Sequence, residues 1–193
     1  MKDSSVRAIF QESAATIANA GERLADRIVL AVDIIVECYS NGGGLLVFGN
    51  GGSAADAQHI VGEFVGRLMF DRPPLKAEAL NANTSSLTCV SNDYGYEHVF
   101  ARQLEANASK NDVAWGISTS GDSPNVVAAL AKAKELGMKT IGMTGPRGGR
   151  CAEFADVLLD IQGADVSPRI QEAHAVTYHA ICQLVEARIF ATQ

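Results

Sequence analysis

An imidazole and a carboxylate lie four residues apart in the segment SAADAQHIVGEFV. On a helix, His59 and Glu63 project from one face, and Asp56 lies one turn earlier on that face. Such a pair can remove a proton from a substrate and return it. The ordinary alternative is a solvated surface contact, as for most His/Glu pairs at this spacing.

Three more polar residues, Gln171, His174 and His179, interrupt an otherwise apolar segment near the carboxyl end of the chain. Apolar neighbours of this kind usually face a core, where a histidine needs a hydrogen-bond partner. We expect His174 to be a satisfied core or interface histidine. Gln171 and His179 remain candidates for chemistry alongside Glu63.

Two loops have the composition of anion-binding sites. In Gly49-Asn50-Gly51-Gly52-Ser53, small residues let backbone N–H groups approach a ligand at a helix N-terminus. In Ser118-Thr119-Ser120-Gly121-Asp122-Ser123-Pro124, four hydroxyls precede a proline suited to the first turn of a helix. A serine-rich helix cap would explain the second loop alone. The two loops together predict a cradle for a phosphate monoester.

Nucleotide sites are the main rival interpretation. Neither loop has the lysine that a Walker-type site requires. Gly49, Gly51 and Ala54 fit the dinucleotide pattern G-x-G-x-x-A, which expects an acidic residue about 20 positions later. Glu78 lies beyond that position, and a dinucleotide would leave the second loop unexplained.

The elements that must position these residues alternate between strand and helix. Residues 5–20 and 22–40 predict two amphipathic helices. Four short apolar strands follow, GGGLLVFG, DVAWGIS, KTIGMTG and ADVLLDI, with helices beginning near Ser53, at SPNVVAALAKAKELG and around RIQEAHAVTYHAICQLVEARI. This order predicts an α/β fold with a doubly wound parallel sheet flanked by helices. Ligands bind such sheets at the carboxyl ends of the strands, where both loops lie.

Composition limits the class of protein. The chain has 193 residues, of which 47% are hydrophobic and 20% charged, as expected for one globular domain spanning 1–193. A net charge of −6 argues against nucleic acid and requires an anionic substrate to be held by local donors. No apolar run resembles a signal peptide or membrane span. The widely spaced cysteines predict a reducing, cytoplasmic location; they are Cys38, Cys89, Cys151 and Cys182.

Five strings in order resemble the phosphoheptose isomerases, which belong to the sugar isomerase (SIS) domain class. They are NGGSAADAQHIVGEFVGR, SNDYGYEHVFARQLEA, GISTSGDSPNV, IGMTG followed by GG, and RIQEAHAVTYH. The resemblance covers nearly the whole chain. It implies a cytoplasmic enzyme that converts sedoheptulose 7-phosphate to D-glycero-D-manno-heptose 7-phosphate, the first step of nucleotide-activated heptose synthesis.

The resemblance also implies roles for individual residues. One zinc ion per subunit is expected on His59, Glu63, Gln171 and His179, within a homotetramer whose sites lie at subunit interfaces. The sugar phosphate is expected to contact Asn50, Gly51, Gly52, Ser53, Glu63, Asn92, Asp93, Ser118, Thr119, Ser120, Ser123 and Gln171.

Moving a carbonyl between C1 and C2 requires removal and return of a proton through an enediol. Glu63 is the candidate base and His179 the candidate acid, while zinc would polarise the carbonyl. A zinc-bound carboxylate is less basic, so Glu63 needs separate oxygens, a ligand shift or alternating occupancy for its two roles. Glutamine is an uncommon zinc ligand, so weak binding is expected and another divalent ion stays open.

Gln171 and His179 are eight residues apart, or roughly 12 Å along one helix. Either Gln171 precedes the regular helix, or the helix bends, or the site contains more than one subunit. We favour the shared site, with residues 5–40 as an oligomerisation segment and 45–193 as the α/β core.

Three residues depart from the family pattern: Asp122, Asn83 and Pro168. Asp122 replaces a common Asn beside the phosphate loop, so its charge could weaken phosphate binding unless it points outward.

The competing hypothesis for the function of the chain is a non-catalytic SIS domain that binds a replication or transcription protein. It has no need for Glu63 or His179.

Overall fold

A computed structural model describes residues 3–190 as an α/β fold with a parallel sheet between helices, which confirms the predicted fold class. The strands are β1 (Leu45–Gly49), β2 (Ala77–Ala79), β3 (Val113–Ser118), β4 (Lys139–Thr144) and β5 (Val157–Asp160). The helices are α1 (Asp3–Ser40), α2 (Gly52–Val65), α3 (Thr84–Tyr94), α4 (Ala101–Asn107), α5 (Pro124–Glu135) and α6 (Ser167–Phe190), with short 3₁₀ helices at Tyr96–His98 and Gly149–Glu153.

The sheet has the order β2-β1-β3-β4-β5, and all of its neighbouring strands are parallel. Its register pairs Gly49 with Ile117 and Ser118 with Thr144. This order is that of flavodoxin-like sheets, in which the ligand crevice opens between β1 and β3. The two candidate loops leave the sheet at this crevice.

Alternate side chains of the strands enter two separate cores. Val47 and Trp115 belong to the core covered by α1, α2 and α6. Phe48 and Ala114 belong to the core on the opposite face, which includes residues of α4 and α5. Because helices cover both faces of the sheet, the strand sequences are continuous runs of apolar residues.

The N-terminal region is one helix, so the prediction of two helices was wrong. Gly21 lies inside α1, and a glycine in a helix weakens it without removing any backbone hydrogen bond. The buried stripe that includes Leu24, Ala31 and Ile35 holds α1 against α6 and β5. Despite the length of α1, no helix within residues 3–190 combines the length and apolar character needed to cross a bilayer.

The segment between β2 and β3 contains two helices, α3 and α4, that the sequence did not predict. No residue of α3 is buried, so the segment lacks the apolar periodicity that identifies a helix. Its start is instead fixed locally by Asn83, whose side chain accepts a hydrogen bond from the Ser86 N–H at 3.1 Å.

Candidate functional site

The first loop is shaped by glycines that leave no room for side chains. A Cβ at Gly49 would lie 2.8 Å from the Ser53 carbonyl oxygen. Gly51 has φ 57° and ψ −121° immediately before α2, a conformation that favours glycine. At Gly52 a Cβ would lie 2.3 Å from Nε2 of Gln171, so the Gln171 amide rests against the loop. Backbone donors at the start of α2 thus face the crevice.

Asn50 braces the first loop against the second. Its amide exchanges two hydrogen bonds with the Asn125 amide, at 2.8 and 2.9 Å, and its Oδ1 also accepts one from the Tyr96 hydroxyl at 3.0 Å. Asn125 is buried in the first turn of α5. Asn125 and Tyr96 were not predicted from the sequence, because their hydrogen bonds to Asn50 form only when β1 and β3 lie side by side.

Hydroxyl groups converge in the second loop. The buried Ser118 Oγ lies 2.9 Å from Ser123 Oγ and 3.3 Å from Ser120 Oγ. Ser123 precedes α5 and its side chain makes no capping bond to the helix. Thr119 Oγ1 lies 3.5 Å from Ser167 Oγ at the start of α6. These hydroxyls can turn from each other towards phosphate oxygens.

Asp122 is directed away from these hydroxyls. Its Oδ1 accepts a hydrogen bond from the Arg150 N–H at 2.9 Å and lies 3.5 Å from Arg150 Nε. The Arg150 guanidinium also donates to the Asp122 carbonyl oxygen at 3.1 Å. The negative charge of Asp122 is therefore paired with Arg150.

Pro168, another departure from the family pattern, lies in the first turn of α6, where a proline is tolerated.

Three titratable side chains form a cluster between α2 and α6. His59 Nε2 lies 3.0 Å from Glu63 Oε1 and 3.4 Å from His179 Nε2. Within the described residues, one ligand atom from each of the three lies within 4.8 Å of the others. Glu63 and His179, predicted from sequence as base and acid, therefore share one place on the protein.

The cluster fits a metal ion in both chemistry and spacing. Two imidazoles and a carboxylate are common zinc donors, and two nitrogens bound to one tetrahedral zinc lie about 3.3–3.4 Å apart. Gln171 is placed elsewhere: it lies within the regular part of α6, which excludes the option that it precedes the helix. Its amide is against Gly52, about two turns of α6 from His179.

The orientation of His59 is set by a second residue of α6. The Tyr178 hydroxyl lies 2.9 Å from His59 Nδ1, on the ring edge opposite Glu63. Asp56 is near both groups: burial raises the pKa of its carboxyl, while His59 and the Tyr178 hydroxyl act in the opposite direction. A partner on Nδ1 leaves His59 Nε2 directed at the cluster. No periodic signal in the sequence singled out Tyr178.

The carboxyl end of α2 is fixed beneath the cluster by a buried ion pair. Arg72 donates to the Glu63 carbonyl oxygen at 2.6 Å, and its Nε lies 3.0 Å from Glu186 Oε1. Both charged side chains are almost fully buried, and the N–H groups of Leu68 and Met69 complete the bonds of Glu186. Removing either charge would leave the other unpaired in the core.

His174 is a core histidine, as expected, but its buried Nδ1 has no hydrogen-bond partner within residues 3–190. It is fully buried, and its Nε2 lies 3.0 Å from the Thr144 carbonyl oxygen. Burial lowers its pKa to about 4, so it is neutral near pH 7.

The predicted binding residues Asn92 and Asp93 bond to each other. They are exposed near the end of α3, and the Asn92 amide donates to Asp93 Oδ1 at 2.8 Å. No hydrogen bond within residues 3–190 joins them to the phosphate loops.

Two open clefts flank the second loop. One of about 590 Å³ is lined by Thr119, Ser120 and Ser167 together with the loop after β4. The other, of about 440 Å³, is lined by Asn50, Ser123 and the turn around Tyr96. A small ligand can therefore approach the hydroxyls from solvent on either side.

Comparisons with known proteins agree with this geometry. The SIS domain family matches residues 9–145. Phosphoheptose isomerase of Burkholderia pseudomallei is 52% identical over 174 residues, which are 90% of this chain and 88% of that protein. The structure of phosphoheptose isomerase GmhA from Neisseria gonorrhoeae has a TM-score of 0.89 at 41% identity, covering 95% of this chain and 98% of that one. A phosphoheptose isomerase from Francisella tularensis has a TM-score of 0.90 at 33% identity, covering 96% and 98%.

Proposed function

Because the chain belongs to the phosphoheptose isomerases of the SIS domain family, we propose that it converts sedoheptulose 7-phosphate to D-glycero-D-manno-heptose 7-phosphate. This aldose–ketose isomerisation is the first step of nucleotide-activated heptose synthesis. The observation that carries the proposal is the meeting of Glu63 with His179 in a protein whose β1 and β3 loops form a hydroxyl-rich cradle.

The phosphate is held at the second loop. Ser118, Ser120 and Ser123 turn their hydroxyls from one another to the phosphate oxygens, and Thr119 adds a fourth. Backbone N–H groups of the first loop, from Gly51 to Ser53, approach the sugar. Because the protein carries a net charge of −6, these local donors supply the affinity that its overall field does not.

Proton transfer belongs to Glu63 and His179. Glu63 removes a proton from C1 of the ketose while His179 donates one to the carbonyl oxygen at C2, which gives the enediol. Glu63 then returns a proton to C2 as His179 accepts the proton of the C1 hydroxyl, so the aldose forms and both residues are restored. Glu63 is proposed as both zinc ligand and general base, and its carboxylate has one oxygen for each role. Oε1 faces His59, whereas Oε2 makes no hydrogen bond within the described part of the chain.

Zinc is the proposed cofactor, one ion per subunit, held by His59, Glu63 and His179. Because Gln171 lies about two turns of α6 from His179 in the same chain, it adds a weaker fourth donor only across a subunit interface. When bound, it supplies Lewis-acid polarisation of the substrate oxygens. The chain's own residues orient the ring atoms: Tyr178 on His59 Nδ1 leaves Nε2 free to face the ion.

The complete site draws on more than one subunit. Glu63 follows Gly52 by eleven residues of α2, a rise of about 16 Å along the helix axis, so the His/Glu cluster lies at the opposite end of α2 from the first loop. A phosphate loop of one protomer and a His/Glu cluster of another would close this gap. We propose a homotetramer in which residues 5–40 pack subunits together and residues 45–193 form the catalytic core. Exposed apolar side chains on α1 support this: Val6, Ile9, Phe10, Val29 and Leu30.

The proposed function also implies a location and a set of partners for the protein. The single domain 1–193 acts on a small sugar phosphate in the cytoplasm and engages neither nucleic acid nor membrane. Asn92 and Asp93, exposed near the end of α3, also contact the sugar. The regulator alternative loses its support, because relatives about half identical over 90% of the chain bear the isomerase name.

The test is to incubate the protein with sedoheptulose 7-phosphate, with and without added zinc, and to follow aldose formation by NMR. An isomerase accumulates the heptose 7-phosphate at a rate proportional to protein concentration. No turnover in either condition would refute the proposal and favour a binding protein.

A further inference from the structure

The turn that follows β4 places an arginine where a glycine is expected. The Gly148 N–H donates to the Gly145 carbonyl oxygen at 3.4 Å, Pro146 takes the second position, and Arg147 takes the third with φ 70°. These are the features of a type II turn, whose third position favours glycine or asparagine. Within residues 3–190, Arg147 is the only non-glycine residue with positive φ.

This turn is fastened to the phosphate loop by the backbone. The Gly145 N–H donates to the Thr119 carbonyl oxygen at 3.0 Å, and the Cys151 N–H donates to the Gly121 carbonyl oxygen at 2.9 Å. The contact is close: a Cβ at Gly121 would lie 2.2 Å from the Gly148 carbonyl oxygen. The position of Arg147 is therefore fixed relative to the hydroxyls of the second loop.

The Arg147 side chain is an uncommitted cation at the phosphate cleft. It is exposed and makes no hydrogen bond or ion pair with the described part of the chain. It lines the cleft of about 590 Å³ together with Thr119, Ser120 and Ser167. Among the described residues that line this cleft, Arg147 is the one cation and Asp165 the one anion. Without Arg147, the cleft would carry a negative charge and repel a phosphate.

We propose that Arg147 is a substrate-binding residue whose guanidinium holds the phosphate of the sugar phosphate against Thr119 and Ser120. A guanidinium matches phosphate oxygens in a two-bond geometry that a lysine cannot reproduce. Left-handed backbone is unfavourable for a residue with a Cβ, and such strain is typically retained at functional sites. The inference rests on the proposed function, since it assigns a group to the same phosphate.

The test compares the binding of inorganic phosphate and of sedoheptulose 7-phosphate by calorimetry. Arg147→Gln should raise both dissociation constants about tenfold, Arg147→Lys should raise them less, and Asp165→Asn should lower them. Lys139→Gln is the charge-matched control, because Lys139 is exposed at the amino end of β4, and it should bind like wild type. Three results would overturn the proposal. Arg147→Gln could bind both ligands as tightly as wild type, Lys139→Gln could bind them as weakly as Arg147→Gln, or the wild-type protein could bind neither ligand.

Binding and turnover separate this proposal from the isomerase proposal. A wild type that binds sugar phosphate in an Arg147-dependent way but makes no aldose refutes the isomerase and retains the role of Arg147. If Arg147→Gln instead makes aldose at the normal rate with an unchanged KM, the role of Arg147 is refuted and the isomerase proposal is retained.

A second pair of variants separates binding from folding. Arg147→Gly and Arg147→Ala both remove the guanidinium, but only glycine relieves the left-handed backbone. Arg147→Gly should unfold about 2–4 °C higher than Arg147→Ala. Both should lose phosphate affinity equally. Retention of affinity in Arg147→Gly would show that the guanidinium does not bind phosphate.

Discussion

The Nε2 atoms of His59 and His179 lie 3.4 Å apart, although the two residues are 120 positions apart in the chain. Two protonated nitrogens would repel each other at this distance, so a shared proton or a bound cation is needed between them. Glu63 Oε1 lies 3.0 Å from the same atom of His59 and adds negative charge. The packing of α2 on α6 thus builds a cluster suited to both metal binding and proton transfer.

Removing one imidazole should abolish tight zinc binding. We expect His59→Ala and His179→Ala each to weaken zinc affinity at least about 100-fold, because a donor is lost from the set. Competition with a chromophoric chelator measures the affinity. His98→Ala removes an exposed histidine outside the cluster and should bind zinc like wild type. Unchanged affinity in His59→Ala would contradict the proposed ligand set.

Loss of the central hydroxyl in the second loop should weaken phosphate binding. Ser118 Oγ is the atom shared by Ser120 and Ser123, so Ser118→Ala should raise the KM for the sugar phosphate about tenfold, or about 1.4 kcal/mol. Ser40→Ala is the control, because its hydroxyl donates to the Val36 carbonyl oxygen at 2.8 Å, at the end of α1. A KM equal to that of wild type would argue against the cradle.

A charge on the exposed face of α1 should disrupt the oligomer. Phe10 is 72% exposed in the single chain, so Phe10→Glu should reduce the mass measured by light scattering and lower activity together with it. Lys110→Gln makes the same change in net charge in the loop before β3 and should leave the mass unchanged. A fully active wild-type monomer would refute the shared site.

Stability should fall in acid because of His174. Burial lowers its folded pKa to about 4 from an ordinary value of 6.5. The unfolded chain therefore takes up a proton first, so this contribution is complete above pH 6.5 and is lost as pH falls through 4. The full loss is about 3 kcal/mol. Urea unfolding at pH 7 and pH 5 should show a smaller difference in His174→Gln than in wild type; equal differences would contradict this assignment.

Much of the fold and part of the site follow from sequence. Alternating apolar strands and helices predicted the sheet, and the glycines after β1 and serines after β3 predicted the crevice. Helical spacing placed His59 beside Glu63. The approach of His179 needed the family resemblance, because no local rule brings together residues so far apart in the chain.

Other features depend on tertiary contacts that leave no local pattern. Tyr178 reads as one more apolar residue of α6 until its hydroxyl is placed beside His59. Gly21 suggested a break in α1, yet packing on α6 keeps that helix continuous. Arg147 breaks the usual preference of a type II turn, and composition alone does not reveal the turn.

The most direct test of the account is isomerisation of sedoheptulose 7-phosphate in D₂O by wild type and Glu63→Gln, followed by NMR. Wild type should form the aldose with deuterium at C2, because the base exchanges its proton with solvent during the enediol step. Glu63→Gln should bind the sugar phosphate within about threefold of wild type yet turn over about 1,000-fold more slowly. Turnover in Glu63→Gln within tenfold of wild type would contradict the role of Glu63 as the base.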